Sequence, residues 1–268
     1  MSTTPNDWSS LHDGRLAAMI EICRAAGAHT LKYFRSNSLA IDAKSDDSPV
    51  TVADREAEQL ARKLIIQQFP TDTVQGEEFD EQSGTSQYRW VIDPIDGTKS
   101  FVCGVPLYST LLALELNGEP LGGVIFIPAL DEIIVAATGQ GAWTRRCADD
   151  WQVARVSDKT DIADAIFVTS QVDSFGQRNA IEGYKRIEKA AWLTRSWGDG
   201  YGYLMVATGR ADIMVDPICN PWDVAAILPV VVEAGGKFTD WKGNSTARGG
   251  DGVGTNGKLH DQVLGQLS

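Results

Sequence analysis

The chain has 268 residues, 43% of them apolar and 22% charged, and a formal net charge of −12. That length accommodates one large α/β domain or two tightly joined halves with a sizeable core, and the composition is that of an ordinary globular protein. The negative charge argues against nucleic acid or an anionic membrane as a partner held by bulk attraction. An acidic protein that handles phosphate needs a metal or a local cluster of N–H donors to offset its own field. No apolar run is long enough to span a bilayer, and the opening MSTTPNDWSS lacks the basic and apolar regions of a secretory signal. Cys23, Cys103, Cys147 and Cys219 show no ligand spacing. They are expected to be free, buried thiols in a reducing, cytoplasmic setting.

Helical spacing of Leu16, Met19, Ile20, Cys23, Ala26, Leu31 and Phe34 predicts one long helix from Ser10 to Phe34, capped by Ser9 or Ser10. Gly27 falls on its apolar face, where it weakens the helix but permits close packing. A polar stretch, KSDDSPVTVAD, reads as a loop because Pro49 disfavours helix through it. A second helix is expected from about Ala53 to Phe69, then a short strand leaving at Gly76. RWVID, YSTLLALEL, EPLGGVIFIP, EIIVAAT and GAWTR read as strands of an antiparallel meander, with Asn117-Gly118 as a hairpin turn. From about residue 160 strands and helices alternate. AIFVTS, AWLTRS, ADIMVD, GKFTDW and GVGTN are strands; GQRNAIEGYKRIEKA, DGYGYLMVATG, PWDVAAILPVVVEAG and KLHDQVLGQL are single helices. The expected architecture is one domain over 1–268, with an α+β half to about 158 and an α/β half from about 159, packed as layers.

The stretch WVIDPIDGTKSF seats Asp93 and Asp96 where a strand runs out. Two carboxylates so placed stay ionised together only beside a cation, and oxygen ligands suit Mg²⁺. Gly97 and Thr98 then present backbone N–H groups suited to a phosphate. Further acids sit at element ends: Glu77 and Glu78 after Gly76, Asp54 closing PVTVAD, and Asp223 in NPWDVAA. Singly, a carboxylate at a helix start only complements the helix dipole; the coincidence of all of them points to a shared site.

The set GEE, DPIDGTKSF and PWDVAA, with KSDDSPVTVAD upstream, resembles the inositol-monophosphatase family of Mg²⁺-dependent phosphatases, over about residues 10–265. The resemblance implies a layered αβαβα sandwich, the inositol-monophosphatase or sugar-phosphatase-like fold. It implies two or three Mg²⁺ per active site, held by Glu77, Asp93, Asp96 and Asp223 with the Ile95 carbonyl. Asp54 and Thr98 would activate the attacking water, with Glu77 contributing through its metal, and the Gly97 and Thr98 N–H groups would hold phosphate oxygens. Lys99 is expected to be a surface or loop cation. The run TRSWGDGYGYLMVATGRADIMVDPICNPWD further resembles the histidinol-phosphatase branch. Its substrate would carry an ammonium and an imidazole, which Asp199 and Asp216 would contact with Asn220 nearby. Asp199 is also a possible cap for the helix after it, and Arg195 is expected to brace Asp199. Trp197 and Tyr201 are expected as packing or pocket wall, and Gly200 stands where relatives often have a bulkier residue. The implied activity is hydrolysis of L-histidinol phosphate, a small phosphate monoester, by a homodimer. The rival substrates are inositol 1-phosphate or a range of sugar phosphates; a reading from another class is a partner in a transcription complex, although the charge of −12 disfavours direct RNA contact.

Overall fold

The computed structural model describes residues 4–36, 41–43 and 49–267. A 3₁₀ segment, Pro5–Gly14, precedes helix α1, Arg15–Thr30. Strands β1, Ile41–Ala43, and β2, Pro49–Thr51, pair antiparallel and lead into α2, Val52–Gln68. Next come β3, Thr73–Gly76, and β4, Tyr88–Asp96, then the short helix α3, Thr98–Val102. The meander follows as β5, Ser109–Leu116, β6, Glu119–Ile127, β7, Glu132–Ala137, β8, Gly141–Arg146, and β9, Gln152–Val153. The remaining chain runs β10, Ile166–Val168, α4, Asp173–Gln177, α5, Ile181–Ala190, β11, Leu193–Arg195, and α6, Asp199–Ala207. It continues with β12, Ile213–Asp216, α7, Pro221–Val224, α8, Ile227–Glu233, β13, Lys237–Thr239, β14, Gly252–Thr255, and α9, His260–Leu267.

Strands β3 to β9 form a seven-stranded sheet in chain order. A five-stranded sheet has the order β11-β10-β12-β14-β13, with β10 parallel to both neighbours and β14 antiparallel to both of its own. Both faces of the large sheet are covered, and the two-residue period of its strands divides its side chains between two cores. Leu112 and Leu114, Val124 and Phe126, and Ile133 and Val135 pack in the cluster that contains Met19 and Ile65 of α1 and α2. Their alternates Leu111, Ala113, Ile125, Ile127, Ile134 and Ala136 pack with Leu204 and Val206 of α6 and with Ile227 and Val230 of α8. The other side of the five-stranded sheet is covered by Tyr184, Ile187 and Val263 of α5 and α9. Helices, sheet, helices, sheet, helices: the αβαβα layering is observed.

Three helices differ from expectation. The first begins at Arg15, not Ser10, because His12 and Asp13 are left-handed (φ 51° and 56°); Gly14, not a serine, precedes it. This kink lets Trp8 bury completely and leaves Arg15 to bind Asp72 through two hydrogen bonds, 2.8 and 3.0 Å. The helix expected over GQRNAIEGYKRIEKA breaks into α4 and α5 at left-handed Asn179 (φ 58°). The one expected from Pro221 breaks into α7 and α8, since Pro229 has no N–H to offer the Ala225 carbonyl. Within KSDDSPVTVAD, residues 49–51 form β2 rather than loop, and residues 44–48 lie outside those described. Cys103 and Cys147 are exposed, against expectation; Cys23 and Cys219 are buried, and all four are free.

The hairpin turn at Asn117 and Gly118 has φ of 55° and 83°, as an Asn-Gly pair permits. Gly27 is also explained: a Cβ there would lie 2.6 Å from the Phe126 ring.

Candidate active site

The carboxyl end of β4 is where the site begins. Asp93 and Asp96 close that strand, and the register with β5 shifts between them. The irregularity turns the Asp96 carboxylate toward Ser109, whose hydroxyl donates to it at 2.6 Å, and toward the Gly200 N–H, which also donates to it. Asp93 Oδ1 accepts the Ile95 N–H at 3.1 Å. Gly97 follows with φ 83°, a conformation that favours glycine. It precedes α3, so the Gly97 and Thr98 amides stand half-buried at a helix start. The Thr98 hydroxyl donates to the Ile95 carbonyl at 3.0 Å.

Two capping boxes hold two more acids. Thr51 and Asp54 form one at the head of α2: Asp54 Oδ2 accepts from the Thr51 amide at 2.8 Å and from its hydroxyl at 2.6 Å. Asn220 and Asp223 form the other at α7, where the Asn220 N–H donates to Asp223 Oδ2 at 2.7 Å. Each carboxylate satisfies the start of its helix and still faces other acids.

A cavity of about 650 Å³ joins these ends. Five carboxylates line it, Glu77, Asp96, Asp199, Asp216 and Asp223, against one base among the described residues, Lys99. Gly97, Thr98 and Asn220 also line it. Asp54 and Asp93 do not line the cavity; they are buried, and both feel the charge of Glu77, which does line it. Burial, then the charges of Glu77, Asp96 and Asp223, hold the Asp93 carboxyl well above the usual range. Burial and the neighbouring Asp199 and Asp223 do the same to Asp96, and burial raises Asp54, with Glu77 adding to it. Asp223 is pushed up to about 7 by burial, with Glu77, Asp216 and Asp199 adding to it. Asp216 is likewise pushed up to about 7 by burial, with Asp199 adding.

Mutual repulsion among acids with oxygen donors, short of basic partners, is the electrostatic signature of a site for hard cations. On that ground the donor set fits Mg²⁺, with Glu77, Asp93, Asp96, Asp223 and the Ile95 carbonyl as the groups that would hold it. Among the described residues no three His, Cys, Asp or Glu side chains already close around one point; what converges is charge.

On the opposite wall, Ser170 is the organiser. Its hydroxyl donates to Asp216 Oδ1 at 2.6 Å and accepts the Asp199 N–H at 2.9 Å. A Cβ on Gly198 would lie 2.1 Å from the Ser170 Cα, so only glycine fits there. Asp199 is the first residue of α6 and not its cap; Gly198 takes that position. Arg195 does not brace Asp199 but donates to the Thr194 carbonyl at 2.7 Å, and Ser170 supplies the brace. Lys99 is exposed, as expected of a surface cation, yet it lies on the cavity wall with its amine on Gln171 Oε1 at 2.6 Å. Tyr201 packs against the inter-sheet core and Trp197 is 36% exposed. Sequence reasoning missed Ser109, Ser170 and Tyr203, the last a buried residue that also lines the cavity. Ser109 and Ser170 act through hydrogen bonds across long sequence separations, and Tyr203 reads as a core aromatic. The Thr51 box was legible as Thr-x-x-Asp.

Residues 13–268 match the model of the inositol monophosphatase family. A histidinol-phosphatase of Chlorobaculum parvum is 42% identical over 238 residues, 89% of this chain and 90% of its own length. One from Streptomyces coelicolor is 38% identical over 262 residues, 96% and 97% of the two chains. Among solved structures, a Thermotoga maritima IMPase superposes with a TM-score of 0.83 at 32% identity, covering 94% of this chain and 96% of that one.

Proposed function

We propose, from the premise that this chain belongs to the inositol monophosphatase family, that it is a metal-dependent phosphomonoesterase whose substrate is L-histidinol phosphate. The observation that carries the reading is the cavity lined by five carboxylates and one amine. A phosphate ester is an anion and is repelled there unless cations stand between. Two or three Mg²⁺ fill that role in the proposal. When bound, such ions would neutralise phosphate charge, lower the pKa of the attacking water and stabilise the departing alkoxide.

The chain's own residues do the rest. Gly97 and Thr98 offer backbone N–H groups to the phosphate oxygens. Asp54, buried and with its affinity for a proton raised, would take a proton from water, with Thr98 helping to position that water and Glu77 contributing through the metal it would hold. Water adds to phosphorus as the P–O bond to the alcohol breaks, and the alkoxide gains a proton. The products are inorganic phosphate and L-histidinol.

On the leaving-group side, Asp199, Asp216 and Asn220 line the cavity, and in this reading the two carboxylates would receive the substrate's ammonium and imidazole. Carboxylates there suit a cationic alcohol better than a neutral polyol. The names of the relatives at 42% and 38% identity favour the same substrate. The structural likeness to an IMPase supports the alternative, inositol 1-phosphate or a broad sugar-phosphate range. A cytoplasmic homodimer, folded as a single domain of two halves, completes the proposal. Absence of a nucleic-acid partner is supported by the net charge. Among the described residues no helix is long and apolar enough to cross a membrane.

Steady-state kinetics of the purified protein on L-histidinol phosphate and inositol 1-phosphate, with Mg²⁺ and after EDTA, test this. Histidinol phosphate should have the higher kcat/KM, EDTA should abolish turnover and Mg²⁺ should restore it. The reverse ranking overturns the substrate, and activity that survives chelation overturns the metal mechanism.

A further inference from the structure

We propose that Glu58 and Arg62 are a positioning pair that sets Glu77 for cation binding; the inference rests on the metal-dependent reading above. Neither side chain lines the cavity, and both are buried, Glu58 completely and Arg62 at 9% exposure. Two ionised groups taken out of water cost stability that an apolar pair of the same shape would not, so their presence calls for a use. Among the described residues, their hydrogen-bond partners other than each other lie on the β3 strand or the loop that carries Glu77.

Glu58 Oε1 accepts from Arg62 Nε at 2.7 Å, and Glu58 Oε2 accepts the Glu78 N–H at 2.8 Å. The other side of the guanidinium donates through Nη2 to the Phe79 carbonyl at 2.8 Å and through Nη1 to the Val74 carbonyl at 3.5 Å. The peptides on the carboxyl side of Glu77 are thus gripped by one carboxylate and one guanidinium, themselves joined. The carboxylate also lies so close to the backbone before Glu77 that a Cβ on Gly76 would come within 2.0 Å of Glu58 Oε1. Hence a glycine precedes Glu77.

The register of α2 adds the functional link. Asp54, Glu58 and Arg62 stand four residues apart and so share one helix face. The first turn presents Asp54, whose carboxyl feels the charge of Glu77; the next two turns fix the loop from which Glu77 extends. One rigid helix therefore sets the spacing between the residue proposed to take the proton and a proposed ligand.

Outer partners of metal ligands typically change affinity by about ten- to a hundredfold. Glu58→Gln keeps the volume and one acceptor but not the charge that holds Arg62. We expect it to weaken Mg²⁺ binding, by calorimetry with Mg²⁺ alone, about tenfold, with Arg62→Gln doing the same and the double variant little worse than either. The melting temperature in EDTA should fall less than the gain that saturating Mg²⁺ confers. KM for the ester at saturating Mg²⁺ should stay near that of the parent. A folded Glu58→Gln protein that binds Mg²⁺ as tightly as the parent overturns the proposal. So does rapid hydrogen exchange at the Glu78 amide of the unaltered protein, a measurement that needs no variant. A parent that binds no Mg²⁺ and keeps its activity in EDTA would instead overturn the metal reading.

Discussion

Gly200 has no room for a side chain: a Cβ would lie 2.4 Å from Ser109 Oγ and 2.8 Å from Asp96 Oδ2. The bulkier residue expected at that position in relatives cannot enter here without moving the acid that β4 delivers. Its neighbour Asp199 is left-handed at φ 55°, which costs a non-glycine residue of order 1 kcal/mol, and its N–H is held by the Ser170 hydroxyl. A Cβ on Gly97 would meet Asp199 Oδ2 at 2.7 Å, so the Gly97 turn and the Asp199 carboxylate are fitted against each other. Removing that acid should therefore act on recognition. Asp199→Ala should raise KM for histidinol phosphate by about ten- to a hundredfold, the loss of a charge-assisted bond, and barely change it for p-nitrophenyl phosphate. Equal changes for both esters would take Asp199 out of the specificity role. Asp93, Asp96 and Asp223 were legible as candidates because each stands in a short motif. Ser109 and Ser170 were not, because their partners lie 13 and 46 residues away along the chain.

Elements show how local preference yields to packing. Helix propensity says Gly27→Ala should stabilise α1 by up to about 1 kcal/mol. The Phe126 ring at 2.6 Å and Pro128 at 2.9 Å from the new methyl say otherwise. Overpacking costs about 1–3 kcal/mol and should win. Urea unfolding should give a lower midpoint for the variant, and a higher one would mean that α1 rides further from β6 than described. Most strands and the α2 helix were readable from periodicity and turn residues. The starts and breaks of α1, α4 and α7 were not. They depend on left-handed residues such as Asp13 and Asn179, or on a proline whose missing N–H matters only once the neighbouring carbonyl is placed.

For the molecule as a whole, the acids have a consequence for stability. Asp54, Asp93, Asp96, Asp199, Asp216 and Asp223 all hold protons more tightly folded than unfolded. Without a cation, the folded state then binds more protons than the unfolded one, so stability falls as pH rises through the window from about 4 to about 7. Buried His260, lowered to about 4, works the other way: its contribution is lost as pH falls from about 6.5 toward 4. One imidazole does not outweigh six carboxyls. Thermal melts should show Mg²⁺ raising the melting temperature of EDTA-treated protein more at pH 8 than at pH 5. Asp93→Asn, which mimics the protonated acid, should shrink that difference. A gain independent of pH would mean that the acids do not share a site.

The sequence by itself determined which residues are candidates for the chemistry and which elements bear them, because short motifs and periodicity are local. It also determined the layered class, since alternating apolar faces must be covered on both sides. Only the tertiary structure decided how the acids meet: a shift in strand register, glycines at positions too close for a side chain, and serines that join distant segments. Those depend on which backbone lies against which, a matter of space rather than of order along the chain.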